Sequence, residues 1–539
     1  MRRDKPPADG DATLVSAPPG RRLYYEDDDM SSLALCFVPF PLTAGFTMDV
    51  PGGGRLSTSA SERVGLLEAG KVQQQQQQGE EEEEEEEVQT TGRKEAKLLA
   101  RYSLPLMATY LLQYSFTLIT LFAVGHLGTD ELGAVSLASM TANITGLAIY
   151  EGLATSLDTL CAQAYGSGNK ELVGLHLQRM VLLMLLATMP IGIMWLSSGW
   201  VLAALVPAKE QAVVAHVAGR YLSILVAGAP GYALFEAGKR FTQAQGLFHA
   251  SLWVLLMATP VHLVLNYLLV FVLPWRLEGA ALATVLSHNL LPILLWLHVY
   301  FVNPSALQCW PGFTRQACRH WGPMARLAVP GILMVETEWL AFDILTFSTS
   351  YLSTAHLAAQ SIVMSLAVAM YHVPFSVGVA VSTRLGHLIG AGCLSSARRA
   401  TRTYMVTFVV IGVVDFGFLT ATRNALPKAF SSDAQVVAIV STVLPLLAVF
   451  QCCDATTALA NAMLRGLGLQ AMGGCANLLV YHVIAVPLAL FWCFAKDGKL
   501  VGLWAGCAVG SSCITVIEGV YMYCYDWKRA IDAAKTRDE

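Results

Sequence analysis

From residue 99 onward the chain alternates long apolar runs with short polar breaks. The runs fall at 101–124, 132–157, 177–204, 213–236, 249–273, 278–301, 325–350, 355–382, 401–421, 433–460, 471–494 and 500–524. A helix needs about 20 apolar residues to cross a bilayer, and every run meets that length. In lipid the backbone must satisfy its own hydrogen bonds, which a run of this length does as a helix. The pattern predicts an all-α polytopic membrane protein with twelve transmembrane helices. The breaks have matching chemistry: Gly125–Asp130, Ala164–Lys170, Pro207–Lys209, Trp310–Arg319, Ile389–Gly392 and Lys496–Lys499.

The first 98 residues follow another pattern. Six Gln at 73–78 precede eight Glu at 80–87, and Asp27, Asp28 and Asp29 form a smaller acidic block. Such runs repel themselves and bury nothing, so residues 1–98 are expected to be a disordered, acidic and Gln-rich cytoplasmic tail. Leu33–Phe46 is apolar, but at 14 residues, with Pro39 and Pro41 inside, it is too short to span. It also follows charged residues too far from the start to read as a cleavable signal. Gly65, Gly70 and Lys71 have the spacing of a phosphate-binding loop. Val72 stands where a Ser or Thr must hold magnesium, and no strand precedes the loop. No other segment offers that motif, which argues against an ATP-driven pump.

The twelve helices read as two copies of six. At a shift of 225, Pro105, Leu127, Leu132 and Ser136 land on Pro330, Leu352, Leu357 and Ser361. At 224, Gly166 and Gly168 meet Gly390 and Gly392; at 223, Leu277 and Gly279 meet Leu500 and Gly502. An even number of helices per copy makes the repeats parallel. The expected organisation is a first lobe over 99–312, a second over 313–526 and a short cytoplasmic tail over 527–539. Secondary transporters commonly place their site between such repeats.

Composition changes the picture in one respect. The chain is 55% hydrophobic and 14% charged, where a soluble protein carries about 25% charged residues. Its formal net charge of −4 averages two unlike regions. Residues 1–95 hold 10 basic and 19 acidic residues, leaving 25 basic and 20 acidic on the remaining 444. With both termini placed in the cytoplasm, 18 Lys and Arg lie on that side of the membrane part and 7 on the other. That bias is the one insertion imposes. Soluble enzymes and nucleic-acid binders are poor descriptions of such a chain.

Chemistry is then a question of which acids lie inside. A carboxylate in a membrane helix is expensive and usually has a partner or a job. Helix seven carries Glu336, Glu338 and Asp343 with no basic residue among them. Glu336 and Asp343 lie about 20° apart around the helix, whereas Glu338 lies about 140° from Asp343. A broad cavity wall fits this better than one narrow face. Such acids suit a proton relay or a cation site. Helix ten adds Asp454, with Thr457 and Asn461 on one stripe and Gln451 nearby, the natural partner for helix seven. Glu338 falls on Gln113 in the repeat register, so coupling chemistry is expected in the second half. His372 is a further cavity candidate. Glu151 and Asp415 read as isolated, Asp158 and Glu518 as lying near cytoplasmic helix ends, and Glu236 as paired at a helix end with Lys239 and Arg240. The twelve Cys include no CxxC and read as packing residues. Asn143-Ile144-Thr145 matches a glycosylation site but lies mid-membrane. The His residues form no zinc spacing, and no GxSxG elbow is present.

Several motifs carry a resemblance. Val124-Gly125-His126-Leu127-Gly128 leads to Gln163-Ala164-Tyr165-Gly166-Ser167-Gly168. Met334-Val335 is followed by Glu338-Trp339 and a carboxylate five residues after that Glu. Arg465-Gly466-Leu467-Gly468-Leu469-Gln470 has an acid eleven residues before the Arg. Over residues 99–525 the chain resembles the multidrug and toxic compound extrusion family, in its eukaryotic and, from 154–161, fungal form. The resemblance implies a V-shaped pair of six-helix lobes that alternates between outward- and inward-open forms. It implies export of organic, often cationic, compounds in exchange for protons or sodium, with protons favoured in the eukaryotic branch. The family's carboxylates fall on Glu338, Asp343 and Asp454. Asp343 stands where relatives often have Glu, Glu336 is an extra acid, and Leu340 and Ala341 replace common aromatics.

The expected protein is therefore a monomeric secondary antiporter of the plasma or vacuolar membrane. It needs no cofactor or metal beyond the coupling ion, and its partners are a small organic cation and the bilayer. A lipid or lipid-linked sugar flippase is the nearest rival. It would want a basic cavity, and apart from Arg220 every Lys and Arg reads as lying at or beyond a span end. A membrane-embedded enzyme is the rival from another class, and no nucleophile or metal cluster can be assembled for it.

Overall fold

The computed structural model describes residues 91–205 and 209–538. The Gln and Glu runs, the Leu33–Phe46 segment and the phosphate-loop lookalike lie outside the described residues.

Twelve long helical units follow one another: α1 (Gly92–Gly125), α2 (129–166), α3 (Lys170–Leu205), α4 (209–244), α5 (His249–Val272), α6 (Arg276–Phe301), α7 (Gly322–Thr349), α8 (Thr354–Gly390), α9 (Leu394–Thr422), α10 (Ala434–Leu467), α11 (Gln470–Ala495) and α12 (Lys499–Cys524). Ten are long and apolar enough to cross a membrane on composition alone. The other two have identifiable reasons for missing that mark. A 3₁₀ turn at Val226–Gly228 divides α4, and α7 carries the three carboxylates. Leu186, Ile193, Trp200, Val409 and Val413 are among the large apolar side chains left exposed on the outer faces, as lipid requires.

The structure strengthens the repeat. Wide π turns occur at Leu268–Val272 in α5 and Phe491–Ala495 in α11, related by the same shift of 223. Pro105 and Pro330, related by 225, both lie inside helices.

Helix ends depart most from the sequence reading. Residues 92–98, given to the tail, form the start of α1. Glu95 is buried there and accepts from Arg384 Nη2 (2.7 Å) and from the Tyr404 hydroxyl (3.1 Å). Residues 527–538, also read as tail, form helix α13 (Trp527–Asp538). Helices α2, α4, α8 and α10 run well beyond their apolar stretches. The last turns of α2, α8 and α10 are covered by the opposite half rather than by water, and that of α4 by helices of its own half, with His387 of α8 on the Ala244 carbonyl.

That covering is quasi-symmetric. A Cβ on Gly166 would strike the His387 carbonyl, and one on Gly390 would strike the Gln163 carbonyl. Both pairs are related by 224, so α2 and α8 present the same patch to each other, like an isologous dimer contact. Gly152 lies equally close to Gly331 and Ile332 of α7. Small residues here let backbones touch, the usual device of packed membrane helices. Gln163 Nε2 donates to the Gly466 carbonyl (3.0 Å), and Arg537 of α13 donates to Gln163 Oε1 (2.7 Å). The end of the bundle where α1 begins and α2, α8 and α10 finish is therefore closed.

Gly390→Ala places a methyl against backbone rather than a movable side chain. The variant is expected to part α2 from α8, lowering the melting temperature of the purified protein and raising labelling of cysteines introduced at this end.

Candidate functional site

Beyond the closed end, between the two halves, lies a cavity of about 430 Å³. Its lining residues precede the glycine crossing in α2 and α8 and follow it in α7, so it lies beyond that seal, with Arg465 of α10 at the boundary between them. The first half contributes Gln113, Asn143, Glu151, Tyr232 and His288; the second contributes Glu338, Asp343, His372, Asp454, Asn461 and Arg465. Tyr110, Tyr114, Trp339, Phe342, Tyr371 and Phe375 supply aromatic surface. Four carboxylates face one guanidinium, so the formal charge of the lining is negative. Rings with negative faces add to its attraction for cations.

The structure brings together Glu338, Asp343, Asp454, Gln113, Asn461 and His372 in this lining. It does not include three other candidates. Gln451 is fully buried and donates to the Ala367 carbonyl (2.9 Å), joining α10 to α8. Thr457 bonds the hydroxyls of Ser511 (3.0 Å) and Thr515 (2.9 Å) in α12. Glu336 is not among the lining residues, although it lies near two of them, Glu151 of α2 and Asp343 of its own helix.

The first half holds more than the sequence reading assigned it. Lys239 and Arg240 are 0% and 2% exposed, because α4 continues to Ala244. Lys239 Nζ pairs with Glu236 Oε1 at 2.7 Å and donates to Gln113 Oε1 at 3.1 Å. Gln113 Nε2 donates back to Glu236 Oε1 at 2.9 Å, closing a triangle behind the cavity wall. Arg240 Nη1 lies 3.5 Å from Asp158 Oδ1, and its Nη2 lies 3.9 Å from Glu151 Oε1. Glu151 is thus not isolated, and Asp158 is not a solvated helix end. Asp158 Oδ2 in turn lies 3.8 Å from Arg465 Nε of the second half.

Arg240 and Arg465 are repeat equivalents at the shift of 225, and they converge on one carboxylate. That identity was present in the sequence and is the signal that would have exposed the cluster. Arg220 does lie inside α4, but its side chain is exposed and pairs with Glu278. Lys239, Arg240 and Arg465 are buried rather than at span ends, so basic residues do lie inside the bundle. What counts against a flippase is their pairing: among the described residues each buried Lys or Arg in the bundle has a carboxylate within 4 Å. Among the described residues no group of His, Cys, Asp and Glu is arranged to hold a metal ion.

A bundle of twelve long helices in two repeats around an acid-lined cavity closed at one end has the architecture of a membrane transporter. The MatE family model matches residues 105–268 and 330–491, one segment in each half. The chain belongs to that family, the multidrug and toxin extrusion transporters. It is 39% identical over 451 residues to an uncharacterized transporter of Saccharomyces cerevisiae, covering 83% of this chain and 64% of that one. It thus spans just under two thirds of that relative's length. It is 32% identical over 445 residues to multidrug and toxin extrusion protein 2 of Mus musculus, covering 83% and 77%. The crystal structure of the eukaryotic MATE transporter AtDTX14 superposes with a TM-score of 0.78 at 29% identity, covering 83% of this chain and all of that one.

Proposed function

We propose that the protein exports small organic cations across its membrane in exchange for protons. The observation that carries this reading is the cavity lining, with Glu151, Glu338, Asp343 and Asp454 against Arg465 alone. A cation and a proton compete for the same carboxylates, so each weakens the binding of the other, and that reciprocal linkage is the exchange. Glu338 and Asp454, close to each other across α7 and α10, are the principal coupling acids. Asp343 extends the acid wall, while Gln113, Asn461 and His372 shape it. Glu336 supports the acid wall from beside Asp343 and Glu151. The proton is the coupling ion, sodium the alternative, and no cofactor takes part. Lys and Arg counts put both termini in the cytoplasm, so the closed end faces inward and the cavity outward. The protein works as a monomer in the bilayer.

The test is ethidium uptake into proteoliposomes containing trapped DNA, with and without an interior made acid. Several-fold faster uptake down the imposed proton gradient is expected. Uptake that ignores the pH gradient and follows a sodium gradient would replace the proton by sodium. Uptake indifferent to both would refute the exchange.

A further inference from the structure

One buried acid has no part in the cavity. Glu518 of α12 is 0% exposed, and neither of its carboxylate oxygens meets a hydrogen-bond partner among the described residues. An ionised carboxylate in that state is very costly, so in this conformation Glu518 holds a proton. The fold does not require an acid there. At shifts of 223 and 224 the first half has Leu295 and Leu294 in α6.

The route to Glu518 is polar. On α10, Asp454, Thr457, Asn461 and Arg465 lie within about 80° of one another around the helix, at successive turns. On α12, Ser511, Thr515 and Glu518 lie within about 60°. The two stripes meet. Thr457 Oγ1 lies 3.0 Å from Ser511 Oγ and 2.9 Å from Thr515 Oγ1, and Thr456 Oγ1 lies 3.2 Å from Thr515 Oγ1. Thr515 is one turn above Glu518. Of the charged groups on the helices packed around it, Arg465 of α10 and Glu338 of α7 act on Glu518. From α11 come Tyr481, beside Glu338, and His482, whose ring nitrogens have no partner among the described residues. Six residues separate Glu518 from the end of α12 at Cys524, about 9 Å along the axis.

We propose that Glu518 is a second proton carrier of the transport cycle, linked to Asp454 by the hydroxyl ladder between α10 and α12 and exchanging its proton at the closed end. The proposal rests on the proton-antiport reading and adds a residue and a path to it. In the transfer, one proton leaves the Asp454 carboxyl and one arrives on the Glu518 carboxylate. Each intervening hydroxyl accepts one and passes one on, and the last step needs the Glu518 carboxylate to turn onto the Thr515 hydroxyl one helical turn away, a bond not made in this conformation. Arg465, between the cavity and Glu518, favours the carboxylate form of whichever acid it faces, so its movement between halves sets when Glu518 lets go.

The full chain in proteoliposomes tests this with ethidium as probe. Glu518→Gln keeps the shape and the neutral state but has no proton to release. Proton-driven ethidium exchange should fall by about two orders of magnitude, the scale for losing a proton-transfer group. Ethidium binding at fixed pH should be unchanged. A purely structural acid, always neutral, would be replaced by Gln without loss, so wild-type exchange in this variant overturns the proposal. Glu518→Asp should keep exchange but displace the midpoint of its pH profile. An unmoved midpoint overturns the proposal even where the Gln variant fails to fold. A wild-type protein indifferent to the pH gradient sinks the antiport reading itself, whereas a responsive wild type with an unaffected variant sinks only Glu518.

Discussion

Glu338→Gln is expected to abolish proton-driven cation exchange while leaving the amount of folded protein in the membrane unchanged. Glu338 lines the cavity from α7, with Asp454 across from it on α10 and the Tyr481 hydroxyl beside it. Gln fills the same volume and still offers a hydrogen-bonding carbonyl, so packing has little reason to change. What it removes is a charge that can be neutralised. The cation loses a counter-charge at the centre of the acid wall, and the proton loses a seat that the cation must vacate. The expected loss is about 10²–10³-fold in gradient-driven ethidium exchange, the scale of deleting a proton-transfer group. Asp343→Asn should cost less, because Glu338, Asp454 and Glu151 remain to hold the cation. Exchange by Glu338→Gln at the wild-type rate in proteoliposomes would remove Glu338 from the mechanism.

The fold was legible because a bilayer imposes a single rule, that apolar runs become helices, and this chain obeys it twelve times. The ends were not legible by that rule. At the closed end, Gln163 and Arg465 are buried against the other half of the molecule, and Lys239 and Arg240 against helices of their own half. Hydropathy cannot distinguish that environment from water. The cavity acids on α7 and α10 stood out by their density without basic neighbours. Thr457 shares their stripe but spends its hydroxyl on α12, and Gln451 spends its amide on α8. Helical spacing gives direction around an axis, not the identity of the neighbouring helix. Asn143 shows the reverse case. Dismissed as an unusable glycosylation site, it opens the π turn Asn143–Leu147 and lines the cavity.

The largest effect on stability is expected at Asp158. Two guanidiniums at equivalent positions of the repeats, Arg240 and Arg465, lie 3.5 and 3.8 Å from its two oxygens. All three residues are buried. Removing the carboxylate leaves two like charges in a low-dielectric crossing, with Glu151 at 3.9 Å serving Arg240 alone. Breaking a buried ion pair from one side typically costs about 3–5 kcal/mol, and here one deletion breaks two. Asp158→Ala should therefore lower the melting temperature of the detergent-purified protein more than any cavity substitution, and reduce its yield in the membrane. The cause is separable from simple loss of packing. If the damage comes from stranded charge, Asp158→Ala combined with Arg465→Met should recover part of the loss, because the second change removes one of the two orphans. Asp158→Asn, which keeps the volume but not the charge, should fall close to Asp158→Ala rather than to wild type. An unchanged melting temperature in Asp158→Ala would mean that the glycine crossing and the hydrogen bonds of Gln163 and Thr159 to α10 suffice to hold the two halves at this end, and that the arginines find water there.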